Sequence, residues 1–425
     1  MNEDFLHYIW KFRLFDSKTL ITSDGENIEV IKQGEHNTDS GPDFQNARIK
    51  IGNTTWAGNV EIHLNSSDWI KHNHHKDKVY DNIILHVVYN NNLDINRDNN
   101  ENIPVLELKK LIPVGVYRKY NNFISSNQWI PCHNLIRQID SLALSSCLDR
   151  LLVERLEKKA EIINQTLQLY KNDWEHTFYI HLARNFGFKL NSEPFEMTAK
   201  STPLSCLAKH KDNIFQLEAI LFGQAGLITK SMRDKYSSML FQEYSVLKQK
   251  FSFFSVDGHL WKFLRLHPSG FPTIRIAQFA SLIHRSVHVF SKIIEAKKLN
   301  EIEVLFDVEC SEYWQNHYVF GKESPKRSKK LGKSSIDNIV INTIVPFLFV
   351  YGINKNDEKY KDRAVKFLEQ LEGEKNAIIT KWKVLGMPTK TAFSTQSLLE
   401  LKNNYCNSKK CLSCGIGNFL LRKAK

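Results

Sequence analysis

The spacing of apolar residues changes once along this 425-residue chain, and that change limits the folds open to it. In the first part, β-branched and aromatic residues gather in short runs near 28–33, 44–51, 55–64 and 83–89, separated by Gly, Asn and Asp. That composition suits strands broken by turns. GNTT, between the second and third runs, suits a hairpin, and IPVLELK (103–109) reads as one more strand. From Ser141 the apolar residues instead recur at steps of three and four, first in SLALSSCLDRLLVERLEKKAEIINQTLQLY (141–170). The same spacing returns at 172–188, 213–226, 232–251, 273–296 and after Ser335, as amphipathic helices joined by short turns would show. No fixed-period repeat is present. The expected class is α+β: a mixed-sheet domain over 1–115, a linker over 116–140, a large all-α domain over 141–400 and a cysteine-containing segment over 401–425. A chain of this length exceeds what one core usually organises, which agrees with more than one domain.

A hydrophobic content of 42% and an aromatic content of 11% are enough for packed interiors. No run of about 18 apolar residues occurs, and IVINTIVPFLFVYG (339–352) is short for a bilayer and carries Asn342 and Pro346. The start, MNEDFLHYIW, is acidic where a secretion signal would be basic. Cytoplasmic residence without membrane contact is therefore expected, and a reducing compartment argues against structural disulfides among the seven cysteines.

Chemistry concentrates in GPDFQNARIKIGNTTWAGNVEIHLNSSDW (41–69). Asp43 opens one expected strand, and Glu61 and His63 end the next, two residues apart and so on one face. A divalent cation such as Mg²⁺ or Mn²⁺ held by Asp43 and Glu61 would sit beside His63, an arrangement suited to hydrolysing a phosphodiester. Pro42-Asp43 followed by Glu61-Ile62-His63 resembles the signature of the PD-(D/E)XK nuclease superfamily. EDFLHYIWKF (3–12) matches its first helix, HHKDKVYDN (74–82) a short second one, and NIILHVVYN (82–90) the strand that follows. The resemblance implies a restriction-endonuclease-like sheet, with Asp43 and Glu61 as metal ligands and position 63 completing the catalytic set. His63 stands where that superfamily has Lys. A lysine would be a fixed cation orienting the attacking water, whereas a neutral imidazole can ligate metal or act as a base.

Over its full length the chain resembles a bacterial family known only as domain of unknown function 2851. HNTDSGPDFQNARI, WAGNVEIHLNSSDW, ILHVVY, FPTIRIAQFA, INTIVPFLFVYG and YCNSKKCLSCGIG carry that likeness, and it implies no activity.

His36, His63, His72, His74, His75 and His86 gather around the acidic motif, which favours transition metals such as Mn²⁺ or Zn²⁺. His72, His74 and His75 read as a surface turn. His86, within apolar ILHVVY, needs a buried partner, which the acidic face of the neighbouring strand could supply. Glu35 and Asp39 precede Asp43 closely enough to add a carboxylate.

The formal charge of +12 favours an anionic partner, and nucleic acid is the commonest. Lys326, Arg327, Lys329 and Lys330 in FGKESPKRSKKLGKSS, and Arg275 at an expected helix start, are candidate phosphate contacts. Cys406, Cys411 and Cys414 form C-x₄-C-x₂-C, a spacing for Zn²⁺ or an iron–sulfur cluster. Their fourth ligand must come from elsewhere: Cys132, Cys206, Cys310 or a histidine. The expected function is a metal-dependent nuclease acting on nucleic acid. The alternatives are an inactive nucleic-acid-binding or scaffold protein of the same fold and a metal-dependent hydrolase of a small substrate.

Overall fold

A computed structural model describes residues 1–97 and 101–423. It is 54% helix and 12% strand, an α+β protein with a mixed sheet near the N-terminus and a mostly helical remainder. The chain divides into two compact units, one of Met1–Asp149, Val384–Gly386 and Leu399–Lys425, the other of Arg150–Lys383 and Met387–Leu398. The C-terminal cysteines thus belong to the unit that contains the sheet.

The first unit opens with helix α1 (Glu3–Lys11), whose first turn is capped by the Asn2 side chain accepting from the Phe5 N–H. Strands β1 (Ile28–Lys32), β2 (Glu35–His36), β3 (Phe44–Ile51), β4 (Thr54–Asn65), β5 (Ile83–Asn90) and β6 (Val105–Glu107) build the sheet. Its order is β1-β3-β4-β5-β6, with β2 added beside β3. β1, β3 and β4 are antiparallel, while β4, β5 and β6 are parallel. The expected β3–β4 hairpin and the added strand at 103–109 are both present. α1 packs against β4 and buries Phe5, Leu6, Ile9 and Trp10. The first six residues of β5 are all buried, which a strand flanked by parallel neighbours and covered on both faces requires.

A parallel pair needs a crossover, and residues 66–82 supply it. The single short helix expected over 74–82 is replaced by helix α2 (Asp68–Lys71) and two separate 3₁₀ turns, His74–Lys76 and Lys78–Tyr80. Asn73 takes a left-handed conformation (φ 61°), and the Asp77 side chain accepts from the Val79 N–H, restarting the chain instead of continuing one helix. The crossover therefore folds as short turns whose histidines are free to point different ways.

At the start of β3 the register with β4 shifts between Phe44 and Ala47. Asn46 has φ 58° there, and its N–H donates to Asn59 Oδ1 (3.3 Å). Such a bulge bends a strand end and re-aims the residues beside it; here it sits next to Asp43.

The second unit is helical apart from a two-stranded hairpin, His317–Val319 with Lys322–Glu323. Its core is strongly aromatic: Phe178 meets both Phe290 and Phe347, and Phe279 meets Phe186 and Phe195. One continuous helix, Lys333–Lys355, runs through Asn342 and Pro346, so 339–352 is part of a longer element than the sequence suggested. Pro346 cannot donate to the turn before it, and the helix loosens to a π turn over Val340–Ile344. By length and composition this helix could cross a membrane, and 72% of its most apolar window is buried inside the protein.

Gly58 in β4 marks where the sheet packs most closely. A Cβ there would stand 2.4 Å from Ile84 Cγ2 and 2.7 Å from Asn82 O. Gly58→Ala is expected to cost about 1–3 kcal/mol by overpacking, measured by urea unfolding of the full chain. A loss below about 0.5 kcal/mol would show that this contact yields.

Candidate functional site

The β3–β4 hairpin brings Asp43 and Glu61 together through the backbone. The Asp43 N–H donates to Glu61 Oε2 (3.1 Å), and the Ile62 N–H donates to Asp43 Oδ2 (2.9 Å). Each carboxylate thus accepts an amide from the other's strand, and the two acids are held side by side.

His63, two residues beyond Glu61, is buried, with Nε2 at 3.7 Å from Glu61 Oε1. Its Nδ1 lies 2.9 Å from His86 Nε2 on β5, and its Nε2 lies 3.2 Å from His72 Nδ1. His74 brings Nε2 to 3.3 Å from Glu61 Oε1. One ligand atom from each of His63, His72 and His74 lies within 4.8 Å of the others, the spacing a single metal ion needs. The three residues that sequence reasoning selected, Asp43, Glu61 and His63, therefore converge. His72 and His74, expected on a surface turn, belong to the same group; His72 is exposed and His74 half-buried. His86 pairs with an imidazole instead of the acidic face.

Two further residues join from α1. His7 Nε2 is 3.2 Å from Asp43 Oδ2, an ion-pair distance although not aligned as a hydrogen bond. Burial would lower its pKa, but Asp43, Glu3 and Asp4 outweigh burial and raise it. Burial raises Glu3, which feels His72, His7 and Asp43 in turn. Sequence reasoning recognised the helix but not these residues. The available signal was a polar pair four apart, on one face of a helix that precedes the acidic hairpin. Glu35 turns away to Lys32 (2.9 Å).

The electrostatics are those of a site short of positive charge. Burial pushes Glu61 above the usual carboxylate range; the His74 contact draws it back and the Asp43 charge opposes that. Burial holds His63 down to about 2, helped by His86, His74 and His72, and holds His86 down to about 3. Both are neutral at pH 7. Among the described residues, the ion-pair partners of the two carboxylates are imidazoles. A divalent cation would supply the missing charge.

The basic residues selected from sequence lie in the second unit and differ in fate. Arg275 turns into the core, stacked 4.5 Å from the Phe188 ring and donating to Gln278 Oε1 and Ser335 Oγ (3.0 Å each). Lys329 is buried, donating to the Trp314 and Gln315 carbonyls. Lys330 pairs with Asp307 (3.4 Å), and Lys326 and Arg327 are exposed. Of the five, Lys326, Arg327 and Lys330 remain at the surface, whereas the Arg275 and Lys329 side chains are turned to partners inside the unit. Cys411 and Cys414 are buried and Cys406 half-buried.

The buried imidazoles carry a pH dependence. Their folded values lie below the ordinary 6.5, so the unfolded chain takes up protons that the folded chain refuses. The stability they contribute is present above about pH 6.5 and is lost as pH falls toward about 3, by up to ~1.4 kcal/mol per pH unit for each group. In EDTA-treated protein, His86→Phe is expected to reduce the slope of stability against pH between about 6.5 and 4, followed by urea unfolding. An unchanged slope would mean that His86 is not held neutral in the fold.

A family model described as a protein of unknown function, DUF2851, matches residues 3–377. Comparison with curated proteins and with solved structures found no match. The match spans the sheet, the acidic hairpin, the histidine crossover and most of the helical unit, and this chain belongs to the DUF2851 family.

Proposed function

We propose that this protein is a metal-dependent phosphodiester hydrolase that acts on nucleic acid in the cytoplasm, with its site at the open end of β3, β4 and β5. The observation that carries the reading is the meeting of two backbone-anchored carboxylates with three imidazoles spaced for one ion. The likeness of Pro42-Asp43 and Glu61-Ile62-His63 to the PD-(D/E)XK pattern and the net charge of +12 support the same reading.

Asp43 and Glu61 would hold the cation with His74 or His63 beside them. When bound, a divalent cation supplies Lewis acidity and lowers the pKa of the attacking water. His63, neutral and buried, cannot take over the charge of a lysine; its role would be that of a ligand whose Nδ1 shares a hydrogen bond with His86 Nε2, the outer partner that orients a coordinating imidazole. His72 would complete the three imidazoles spaced for the ion, and His7 keeps Asp43 oriented. The five basic residues of the helical unit are fewer at its surface than their sequence suggests, an observation that favours a small phosphodiester as the second reading.

Asp43→Asn and Glu61→Gln, which keep shape and remove charge, are each expected to lower metal-dependent cleavage about 100-fold or more, the cost of several kcal/mol of transition-state stabilisation. Assays with Mg²⁺, Mn²⁺ and Zn²⁺ on duplex DNA, single-stranded DNA, RNA and bis(p-nitrophenyl) phosphate separate the two substrate classes. Wild-type protein inert on all of them would overturn the hydrolase reading and leave the scaffold alternative. His63→Lys is expected to lower activity as well; full retention would show that position 63 serves as a cation.

A further inference from the structure

The helical unit contains a cleft of about 520 Å³ that the hydrolase reading does not use. Its lining comes from the helices Ser141–Leu169, Trp174–Phe186 and Ser192–Lys200 and from the π turn Val340–Ile344 with the residues that follow it. All of these lining residues fall within one unit of the chain. The volume is that of a small-molecule site, and the lining mixes apolar surface from Ile162, Phe188 and Phe347 with polar side chains.

Lys159 brings an amine to this cleft. Its hydrogen-bond partner among the described residues is neutral: Nζ donates to Asn342 Oδ1 (3.0 Å). An ammonium has three donors, so two are left for a ligand. Asn342 and Thr343 sit on the π turn, a widening that re-aims side chains and recurs at functional sites. The Thr343 hydroxyl accepts from Asn185 Nδ2 (2.9 Å), and its own O–H has no acceptor among the described residues. His181 Nε2 shares a hydrogen bond with Thr166 Oγ1 (3.0 Å), and burial holds that imidazole down at about 4, so it adds no charge at pH 7.

The charges around the cleft do not balance. At its exposed edge Arg184 pairs with Glu196, and Glu196 also takes Lys200 (2.6 Å), so one carboxylate serves two cations. Near Lys159, Arg155 and Glu374 offset each other and are joined through Gln396: Arg155 Nε donates to Gln396 Oε1 (2.6 Å), and Gln396 Nε2 donates to Glu374. Glu374 reaches Lys159 only through its charge; burial, then Arg155, outweigh it and hold the amine down at about 7. An ammonium sheltered from water without a contacting carboxylate is costly, and an anion seated on it would remove that cost.

We propose that this cleft binds a small organic carboxylate, its charged head on Lys159 beside the Thr343 hydroxyl and its apolar body against Ile162, Phe188 and Phe347. One ammonium with a neutral donor beside it matches a single negative charge, because the two cations at the edge already share Glu196. A carboxylate at Nζ favours the charged amine, so binding takes up a proton and weakens as pH rises above about 7. The proposal does not rest on the hydrolase reading and stands or falls whether or not cleavage is found.

The full chain is titrated calorimetrically with 2-naphthoate, phenyl phosphate and 2-naphthalenemethanol. The naphthoate is expected to bind about tenfold or more tightly at about pH 6.5 than at about pH 8.5, with proton uptake shown by buffers of different ionisation enthalpy. The uncharged alcohol should bind at least about tenfold more weakly than the naphthoate at the lower pH, because it cannot pair with the ammonium. Lys159→Met, which keeps length and removes charge, should weaken naphthoate binding by about tenfold or more and abolish its pH dependence. The pH profile of the unmutated chain keeps the test intact if that variant fails to fold. No naphthoate binding at millimolar concentration, equal affinity at the two pH values, tighter binding of phenyl phosphate or of the alcohol, or a folded Lys159→Met that binds naphthoate as the wild type does would each overturn the proposal.

Discussion

The site depends on a reciprocal exchange at the mouth of the β3–β4 hairpin, in which the amides of Asp43 and Ile62 serve the carboxylates of Glu61 and Asp43. A buried carboxylate is costly unless its oxygens are hydrogen-bonded. Amide donors meet that need without bringing a compensating charge, so the site keeps its negative potential while the acids stay fixed. The bulge between Phe44 and Ala47 matters for the same reason, because it bends the strand end that carries Asp43 toward Glu61. Everything else in the site is arranged around this pair.

The second constraint is that, among the described residues, the ion-pair partners of the two carboxylates are imidazoles and not Lys or Arg. The rings of His72, His74 and His86 lie 5.0–5.2 Å, centroid to centroid, from that of His63, and burial first, then these neighbours, hold His63 neutral. His86 Nδ1 is buried without a partner among the described residues, a tolerated cost where a ring must support another from behind. His74 lies against Tyr80 with ring centroids 3.9 Å apart, and Trp69 closes over both His74 and His86. The crossover therefore acts as a wall of aromatic rings that positions lone pairs in place of charges.

Much of this was legible in the sequence. Runs of β-branched and aromatic residues with the GNTT turn announced the hairpin, and the three- and four-residue spacing after Ser141 announced the helices, because each signal is local. Asp43, Glu61 and His63 could be grouped because a strand face and a hairpin are local. His72 and His74 could not, since Asn73 in a left-handed conformation turns a run that looks like a helix into separate turns with new side-chain directions. Arg275 and Lys329 looked like surface cations, and their burial depends on Phe188, Gln278 and the Trp314 carbonyl, partners that folding brings from distant positions. Glu3 and His7 lay in a segment read only as a helix, and their link to Asp43 is a tertiary contact.

The most direct test of the central claim is anomalous diffraction from a crystal of the full chain soaked in Mn²⁺, recorded at the manganese edge. The account predicts a single strong peak among the carboxylates of Asp43 and Glu61 and the imidazoles of His63 and His74. No peak at that place, or one bound only at exposed acids elsewhere, would contradict it.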